Sequence, residues 1–408
     1  MPAQSAGRQA RVLFLTESYW PVLGGGEQHI RQIASALAAR GMTCTVVARR
    51  GDAAWPEQEL LDGVRVLRVP PAGPGRSGKY LMALPAALRL LRERPRFDVA
   101  VVRGTRVLGL PGLLAARLAG KALVLQAEVS GEMSGEIYTW GTRYDRAPVS
   151  GLVHAGVRVR NGLMRDADAF VTISRRTQAE FLAAGLPADR VVYLPHGIDT
   201  QRFRPAGDSE RAEVRARLGL PAAALLIVFT GRLLQGKGVD TLLAAFERLA
   251  PQDARLHLVL VGSGAGQALS MEDQLRARVS EVGLQARVTF AGRVETVPDW
   301  LRAADLYAFP SFFEAMPLSI MEAAACGLPL ASTRIGGVED VIEHERSGLL
   351  IEPGDVAALT DVLRRLASDP ALRASLGAAA RKTIVERFAF DAHVERYRAL
   401  FNSVGRPL

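Results

Sequence analysis

The sequence predicts an α/β protein of two doubly wound parallel-sheet domains, and three observations carry that expectation. At 408 residues the chain is longer than one hydrophobic core usually supports. Short apolar strands alternate with amphipathic helices in both halves, the pattern of parallel sheets covered on both faces. Between the halves, residues 204–222 mix proline, glycine and charge around a short helical stretch, which marks a boundary.

In the first half the strands are expected at 11–15, 43–48, 64–69, 98–102, 122–126, 169–173 and 191–194. Gly24, Gly25 and Gly26 read as a loop between the first strand and a helix. That helix carries Ile30, Ile33, Ala34 and Leu37 on one face and stops near Arg40 and Gly41. A second leucine stripe, Leu81, Leu84, Leu88 and Leu91, reads as a core-facing helix over 80–94 rather than a membrane-docked one. The second series of strands is expected at 225–230, 256–261, 288–290, 306–309 and 328–332. Beyond Pro353 the chain turns helical, with Leu359, Val362 and Leu366, then Val394, Tyr397 and Leu400, at helical spacing. The expected domains are 1–205, 206–385 and a C-terminal helix, 386–408, that returns to the first domain.

Hydrophobic residues at 49% and charged residues at 23% describe a chain that folds in water. A net charge of +9 favours acidic partners: phosphorylated substrates or an anionic membrane surface. Nucleic acid is not expected, because no interleaving of aromatic and basic residues and no reader motif occurs. Cys44 and Cys326, without a C-x-x-C spacing, indicate neither a disulfide framework nor a zinc site, and a reducing cytoplasm follows. Residues 1–10 are polar, and no apolar run reaches the about 18–20 residues that cross a bilayer. Membrane contact is therefore expected to be peripheral, at the inner face of the cell membrane.

The densest chemistry lies at Phe313, Glu314, Ala315, Met316, Pro317, Leu318, Ser319, Ile320, Met321, Glu322 and Ala323, followed by Cys326, Gly327 and Pro329. Ser311 and Glu314 could form a capping box, with Glu322 a solvated helix residue. A helix starting after Ser311 would hold Pro317 well inside, where its missing N–H and ring clash cost about 3 kcal/mol. Pro317 suits the first helical turn instead. Glu314 then sits on the loop before the helix and Glu322 lies more than one turn inside. On a helix eight residues rise about 12 Å, far beyond the about 5–5.5 Å between the paired carboxyls of retaining glycosidases. Such spacing suits two separate acceptors along one extended ligand. Backbone N–H groups of Leu318 and Ser319 at the helix N-terminus offer an anion site between them. A second constellation, Thr230, Gly231 and Arg232 with Gly236, Lys237 and Gly238, follows directly on the strand 225–230.

Together these motifs resemble the E-x7-E signature and the G-R and G-K-G diphosphate clamp of family 4 of retaining glycosyltransferases, and the resemblance covers nearly the whole chain. It implies a GT-B fold, two Rossmann-like domains facing across a cleft that holds the donor. The implied reaction moves a sugar from a nucleotide-diphosphate sugar, of UDP-sugar or GDP-mannose type, to a hydroxyl acceptor. Retention is implied, with no metal or other cofactor, in polysaccharide or glycolipid assembly at the cell surface. In the family's assignment Glu314 accepts from sugar hydroxyls and Glu322 from ribose hydroxyls, while Arg232 and Lys237 stabilise the leaving diphosphate. The expected donor set also includes Gly25, Gly26, Gly231, Gly262, Val294 and Met316.

Other motifs read more plainly. Gly262, Gly264 and Gly266 have the wrong spacing for a dinucleotide fingerprint. Asp166 and Asp168 form a D-x-D that reads as a helix-to-strand turn rather than a metal site. Pro195, Gly197 and Asp199 resemble the family's P-x-G-x-D, an interdomain element, with His196 where asparagine often stands. After the strand 122–126 the family frequently has an active-site histidine; this chain offers Gln126, Ala127 and Glu128. Gln126, Glu128, Trp140 and Tyr144 are the expected acceptor residues, the last two on an excursion over 129–150. A glycan or lipid-linked acceptor is expected. A nucleotide-sugar epimerase, or a non-catalytic nucleotide-sugar-binding partner, remains open on the same scaffold.

Overall fold

The structure, a computed structural model, describes residues 9–22, 24–73, 75, 77–138, 150–267 and 269–405. The chain divides into two compact units: residues 1–196 with 391–408, and residues 197–390. The segment 197–205 thus belongs to the second unit.

The first unit contains β1 (Val12–Leu15), α1 (Gly25–Ala39), β2 (Cys44–Arg49), β3 (Gln58–Leu61) and β4 (Val64–Val69). Then follow α2 (Gly78–Leu81), α3 (Ala83–Glu93), β5 (Val99–Arg103), α4 (Thr105–Ala119) and β6 (Ala122–Gln126). The unit is completed by α5 (Gly151–Met164), β7 (Ala169–Thr172), α6 (Arg175–Ala183) and β8 (Val191–Tyr193). Its sheet runs β3-β4-β2-β1-β5-β6-β7-β8, parallel except for the β3–β4 pair. Fully buried residues of the central strands, such as Leu13, Leu15, Val102 and Leu125, make the core with the helices. Strand β3 was not expected: Gln58 and Glu59 interrupt its apolar character because it is a half-exposed edge.

The second unit opens with α7 (Asp208–Arg217), β9 (Leu225–Thr230), α8 (Val239–Leu249), β10 (Leu256–Val261) and α9 (Glu272–Glu281). It continues through β11 (Val288–Gly292), α10 (Val297–Ala303), β12 (Leu306–Phe309), α11 (Leu318–Ala325) and β13 (Leu330–Thr333). The last elements are α12 (Val338–Val341), β14 (Leu349–Ile351), α13 (Val356–Ser368) and α14 (Pro370–Arg387). A parallel sheet, β11-β10-β9-β12-β13-β14, is covered by these helices around Ile227, Phe229, Phe246 and Leu363. The edge strand β14, three residues long, also escaped the sequence.

Helix α15 (Phe390–Val404) follows, and its residues from Asp391 onward belong to the first unit. Within that unit Tyr397 and Phe401 are buried, and Phe401 meets Phe14 edge-on at 5.9 Å.

Two local expectations are corrected. Gly25 and Gly26 are the first turn of α1 rather than a loop, with Gly24 extended at the N-cap. The helix expected over 80–94 breaks at Met82 into α2 and α3, and its core face is Ala86 and Leu90. Leu81, Leu84 and Leu88 are exposed instead. The stripe was amphipathic as read, but small Ala86 and the flanking Met82 and Leu90 supply the face that meets the sheet.

Both sheets reverse their strand order beside the first strand, between β1 and β5 and between β9 and β12. Ligands of open α/β sheets bind at the carboxyl ends of the strands at such points. The two expected motifs of the second unit, after Thr230 and after Phe309, both begin there.

Candidate active site

In the second unit the carboxyl ends of β9 and β12 are tied by Tyr307, whose hydroxyl lies 2.9 Å from Thr230 Oγ1. Burial pushes that phenol above its ordinary pKa, and Ser319 on α11 hydrogen-bonds it too. Beyond the strands, two glycines let backbones meet. A Cβ on Gly262, at φ +135°, would strike the Gly231 carbonyl, and one on Gly238, at φ +67°, would strike the Pro310 carbonyl. The structure therefore brings the Gly231 loop against Gly262, and Gly262 N donates to Gly292 O at 2.8 Å, two residues before half-buried Val294.

The loop carrying Lys237 is laced to the loop carrying Glu314. Phe312 N donates to Gly236 O at 2.9 Å, and Thr333 Oγ1 donates to Ser311 O at 2.6 Å. Ser311 Oγ lies 3.2 Å from Gly236 O and 3.3 Å from Glu314 Oε1. Lys237 Nζ and Glu314 Oε1 form an ion pair, with the two side chains 25% and 18% exposed. A pair this accessible can exchange partners with a ligand.

Helix α11 begins at Leu318, so Ser311 and Glu314 lie ahead of it and the capping-box alternative fails. Pro317 is extended at the N-cap rather than within the first turn, a position at which no N–H is required of it. Leu318 and Ser319 are the first helical residues, and their N–H groups have no partner earlier in the helix. Met316 is buried beneath this entry. Glu322 lies one turn in, and no hydrogen bond reaches its carboxylate from the described residues. Burial raises its pKa to about 7, against a smaller pull from Arg202.

Arg232 is exposed and does not join the Lys237–Glu314 pair; its Nη1 lies 3.4 Å from Gln267 Oε1. The loop it faces is held by Glu272 of α9, which accepts from Ser263 Oγ at 2.6 Å and Gly264 N at 2.9 Å. The Ser263 bond above all, helped by Arg276 and Gly264, holds Glu272 at about 2. Glu272 was missed, and no local signal in the sequence marks it.

In the first unit, Arg103 at the end of β5 is buried, donates to Gly26 O at 3.0 Å and pairs with Glu128 at 3.4 Å. Gln126 is buried at the end of β6. Burial raises the pKa of Glu128, with Arg103 opposing. The backbone after Glu128 is pinned by carboxylates. Glu132 accepts from Thr105 N at 2.7 Å and Glu128 N at 3.1 Å; Glu180 accepts from Gly131 N at 2.8 Å and Ser134 N at 2.9 Å. Trp140 and Tyr144 lie outside the described residues.

Behind Gly26, His29 packs on His196 with ring centroids 4.0 Å apart, and its Nε2 lies 3.0 Å from His393 Nε2. Burial pushes each of these histidines below its ordinary pKa, His196 to about 3. The expected D-x-D is divided between two structural bonds: Asp166 pairs with Arg117, and Asp168 accepts from Leu123 N at 2.9 Å. Among the described residues no group of His, Cys, Asp or Glu could hold a metal ion.

Two doubly wound parallel sheets, with a lysine–glutamate pair and a helix N-terminus at a switch point, define a glycosyltransferase of the GT-B class. The chain belongs to glycosyltransferase family 4, the glycosyl transferases group 1. The Glycosyltransferase Family 4 model matches residues 23–202 and the Glycosyl transferases group 1 model residues 210–383. The D-inositol 3-phosphate glycosyltransferase of Xylanimonas cellulosilytica is 31% identical over 407 residues, covering 90% of this chain and 89% of that one. The lipopolysaccharide core biosynthesis mannosyltransferase LpsB of Rhizobium meliloti is 31% identical over 246 residues, 60% of this chain and 68% of its own length. HepE of Anabaena, solved in complex with UDP-glucose, shares the fold with a TM-score of 0.77 at 23% identity, over 97% of this chain and 100% of that one.

Proposed function

We propose that the protein transfers a sugar from a nucleotide-diphosphate sugar to a hydroxyl acceptor with retention at the anomeric carbon. The observation that carries this reading is the ion pair of Lys237 with Glu314 ahead of α11, with the Glu322 carboxylate, which no described residue hydrogen-bonds, one turn inside that helix. Glu314 accepts from the sugar hydroxyls and Glu322 from the ribose. The diphosphate between them takes the N–H groups of Leu318 and Ser319 with Lys237 and Arg232. Gly25 and Gly26 at the start of α1, together with Gly231, Gly262, Met316 and Val294, complete the donor set. Gln126 and Glu128 belong to the acceptor side.

In the transfer, the bond from the anomeric carbon to the diphosphate oxygen breaks and its electron pair stays on that oxygen. The acceptor oxygen bonds to the same face of the carbon, and its proton passes to a phosphate oxygen. No side chain forms a covalent intermediate. Lys237 and Arg232 supply the positive charge that the departing diphosphate needs, so the reaction runs without a metal. The donor seen with HepE favours a UDP-sugar; the mannosyltransferase relative keeps GDP-mannose in the trial set. The acceptor is a glycan or a lipid-linked glycan at the inner face of the cell membrane.

Thermal shift against a panel of nucleotide sugars identifies the donor. With that donor, Glu314→Gln and Lys237→Ala each lower kcat by about 100-fold or more. Near-normal turnover in Glu314→Gln would sink the assignment. Isomerised donor in the absence of acceptor would identify an epimerase instead.

A further inference from the structure

Helices α3, α4 and α5 lie side by side on one face of the first unit's sheet, α4 packed against both neighbours. Right-handed crossovers place all of them on that face. Each turns an apolar stripe outward at i, i+4 spacing: Leu84 and Leu88 on α3, Leu114 and Leu118 on α4, Val159 and Leu163 on α5. Leu84 is 68% exposed and Leu118 72%. Neighbouring packed helix axes stand about 8–10 Å apart, so the three stripes run on adjacent helices of one face. Six large apolar side chains exposed on one face mark an interaction site.

Charge selects the partner. The acidic side chain on α2, α3, α4 and α5 is Glu93 alone, and it is buried and ion-paired with Arg65, Arg89 and Arg96. Every other charged side chain on these helices is basic, from Lys79 on α2 to Arg160 on α5. Exposed Arg92 and Arg158 flank the stripes, whereas Arg117 is paired with Asp166 just beyond α5; the alkyl stems of Arg92 and Arg158 can lie along an apolar phase while the guanidinium heads reach its charged surface. A protein partner would need a flat apolar face rimmed with acid. An anionic bilayer presents both properties over any area.

We propose that the α3–α4–α5 face docks the first unit on an anionic lipid surface. Leucines of the three stripes enter the boundary between headgroups and acyl chains, and the flanking arginines hold anionic headgroups. The surface belongs to the first unit, whereas Lys237, Glu314 and Glu322 belong to the second, so it does not depend on the identity of the donor or of the acceptor.

Co-sedimentation of the full chain with vesicles tests this. Wild-type protein should pellet with phosphatidylcholine vesicles containing phosphatidylglycerol, bind pure phosphatidylcholine weakly, and release as salt rises. The double variant Leu84→Glu, Leu118→Glu should lose at least about tenfold in partitioning, because it places two charges in the apolar boundary. Arg92→Gln and Arg158→Gln should each cost about fivefold on anionic vesicles and nothing on neutral ones. Both leucine sites are exposed, so circular dichroism and the donor-induced thermal shift should match wild type in the variant. That control separates failure of the docking surface from failure of the donor assignment. Wild type remaining in the supernatant with anionic vesicles at low salt overturns the proposal. So does equal binding by the leucine variant. A dimer in light scattering that the same variant dissociates would assign the face to a second copy of the chain.

Discussion

At the scale of the residue, Glu322 carries the sharpest consequence. It is half-buried, no described residue hydrogen-bonds its carboxylate, and desolvation raises its pKa to about 7. Hydroxyls that donate to the carboxylate favour its ionised form, so donor binding must pull the proton off. Below pH 7 that proton has to leave first, and donor affinity should fall by about tenfold per pH unit. Calorimetry in two buffers of different ionisation enthalpy should detect proton release near pH 7, and Glu322→Gln should abolish both effects. A pH-independent affinity in the wild type would remove Glu322 from the ribose. The placement of Glu314 ahead of the helix and of Glu322 inside it was legible in the sequence because a proline between them marks where the helix starts. The roles of Arg103 and His29 were not, since His29 meets a partner 364 residues away and nothing local announces it.

At the scale of the element, the site depends on two backbone approaches that only glycine permits. Gly238 caps α8 in the left-handed region against the Pro310 carbonyl, and Gly262 presses on the Gly231 carbonyl. An added methyl group would have to push backbone aside in each case. Gly238→Ala and Gly262→Ala should each destabilise by about 1–3 kcal/mol and lower turnover further, because Lys237 and Gly231 move with them. Urea denaturation and steady-state rates check this, and a variant as stable and active as wild type would show that the loops have room. The buried parallel strands were legible as continuous apolar runs. Strand β3 was not, because its residues alternate between exposed and half-buried and include Gln58 and Glu59. The stripe over α2 and α3 was misread for a related reason. Helical periodicity reports that two faces differ, but it does not say that Ala86 and Leu90 meet the sheet while Leu84 and Leu88 face outward.

At the scale of the molecule, the returning helix α15 completes the first unit through His393, Tyr397 and Phe401. His29, His196 and His393 are buried and neutral, with Arg103 and Arg396 nearby opposing protonation. Their folded pKa values lie below the unfolded value of about 6.5. The stability they contribute is present above that value and is lost as pH falls below it, at a slope that approaches about 1.4 kcal/mol per pH unit for each histidine once the unfolded imidazole is fully protonated. Glu322, raised to about 7, works in the opposite direction over part of this range. The difference between wild type and His196→Asn isolates the histidine contribution: the variant should lose less stability between pH 6.5 and pH 5.5, by about 1 kcal/mol. Equal losses in urea titrations would show that the cluster does not stay neutral. Phe401→Ala should cost about 3–5 kcal/mol, and a loss below about 1 kcal/mol would mean that α15 is not part of the first unit's core.

The return of α15 also orders events during synthesis. Residues 197–390 form an uninterrupted compact unit set inside the chain of the other. A ribosome extends the chain from its N-terminus, and domains generally fold as they emerge. Here the first unit to be made cannot finish first: until residues after 390 emerge, His29 lacks His393 and Phe14 lacks Phe401. The later unit is whole before the earlier one closes. A chain truncated after residue 390 should therefore hold a protease-resistant second unit and a sensitive first one.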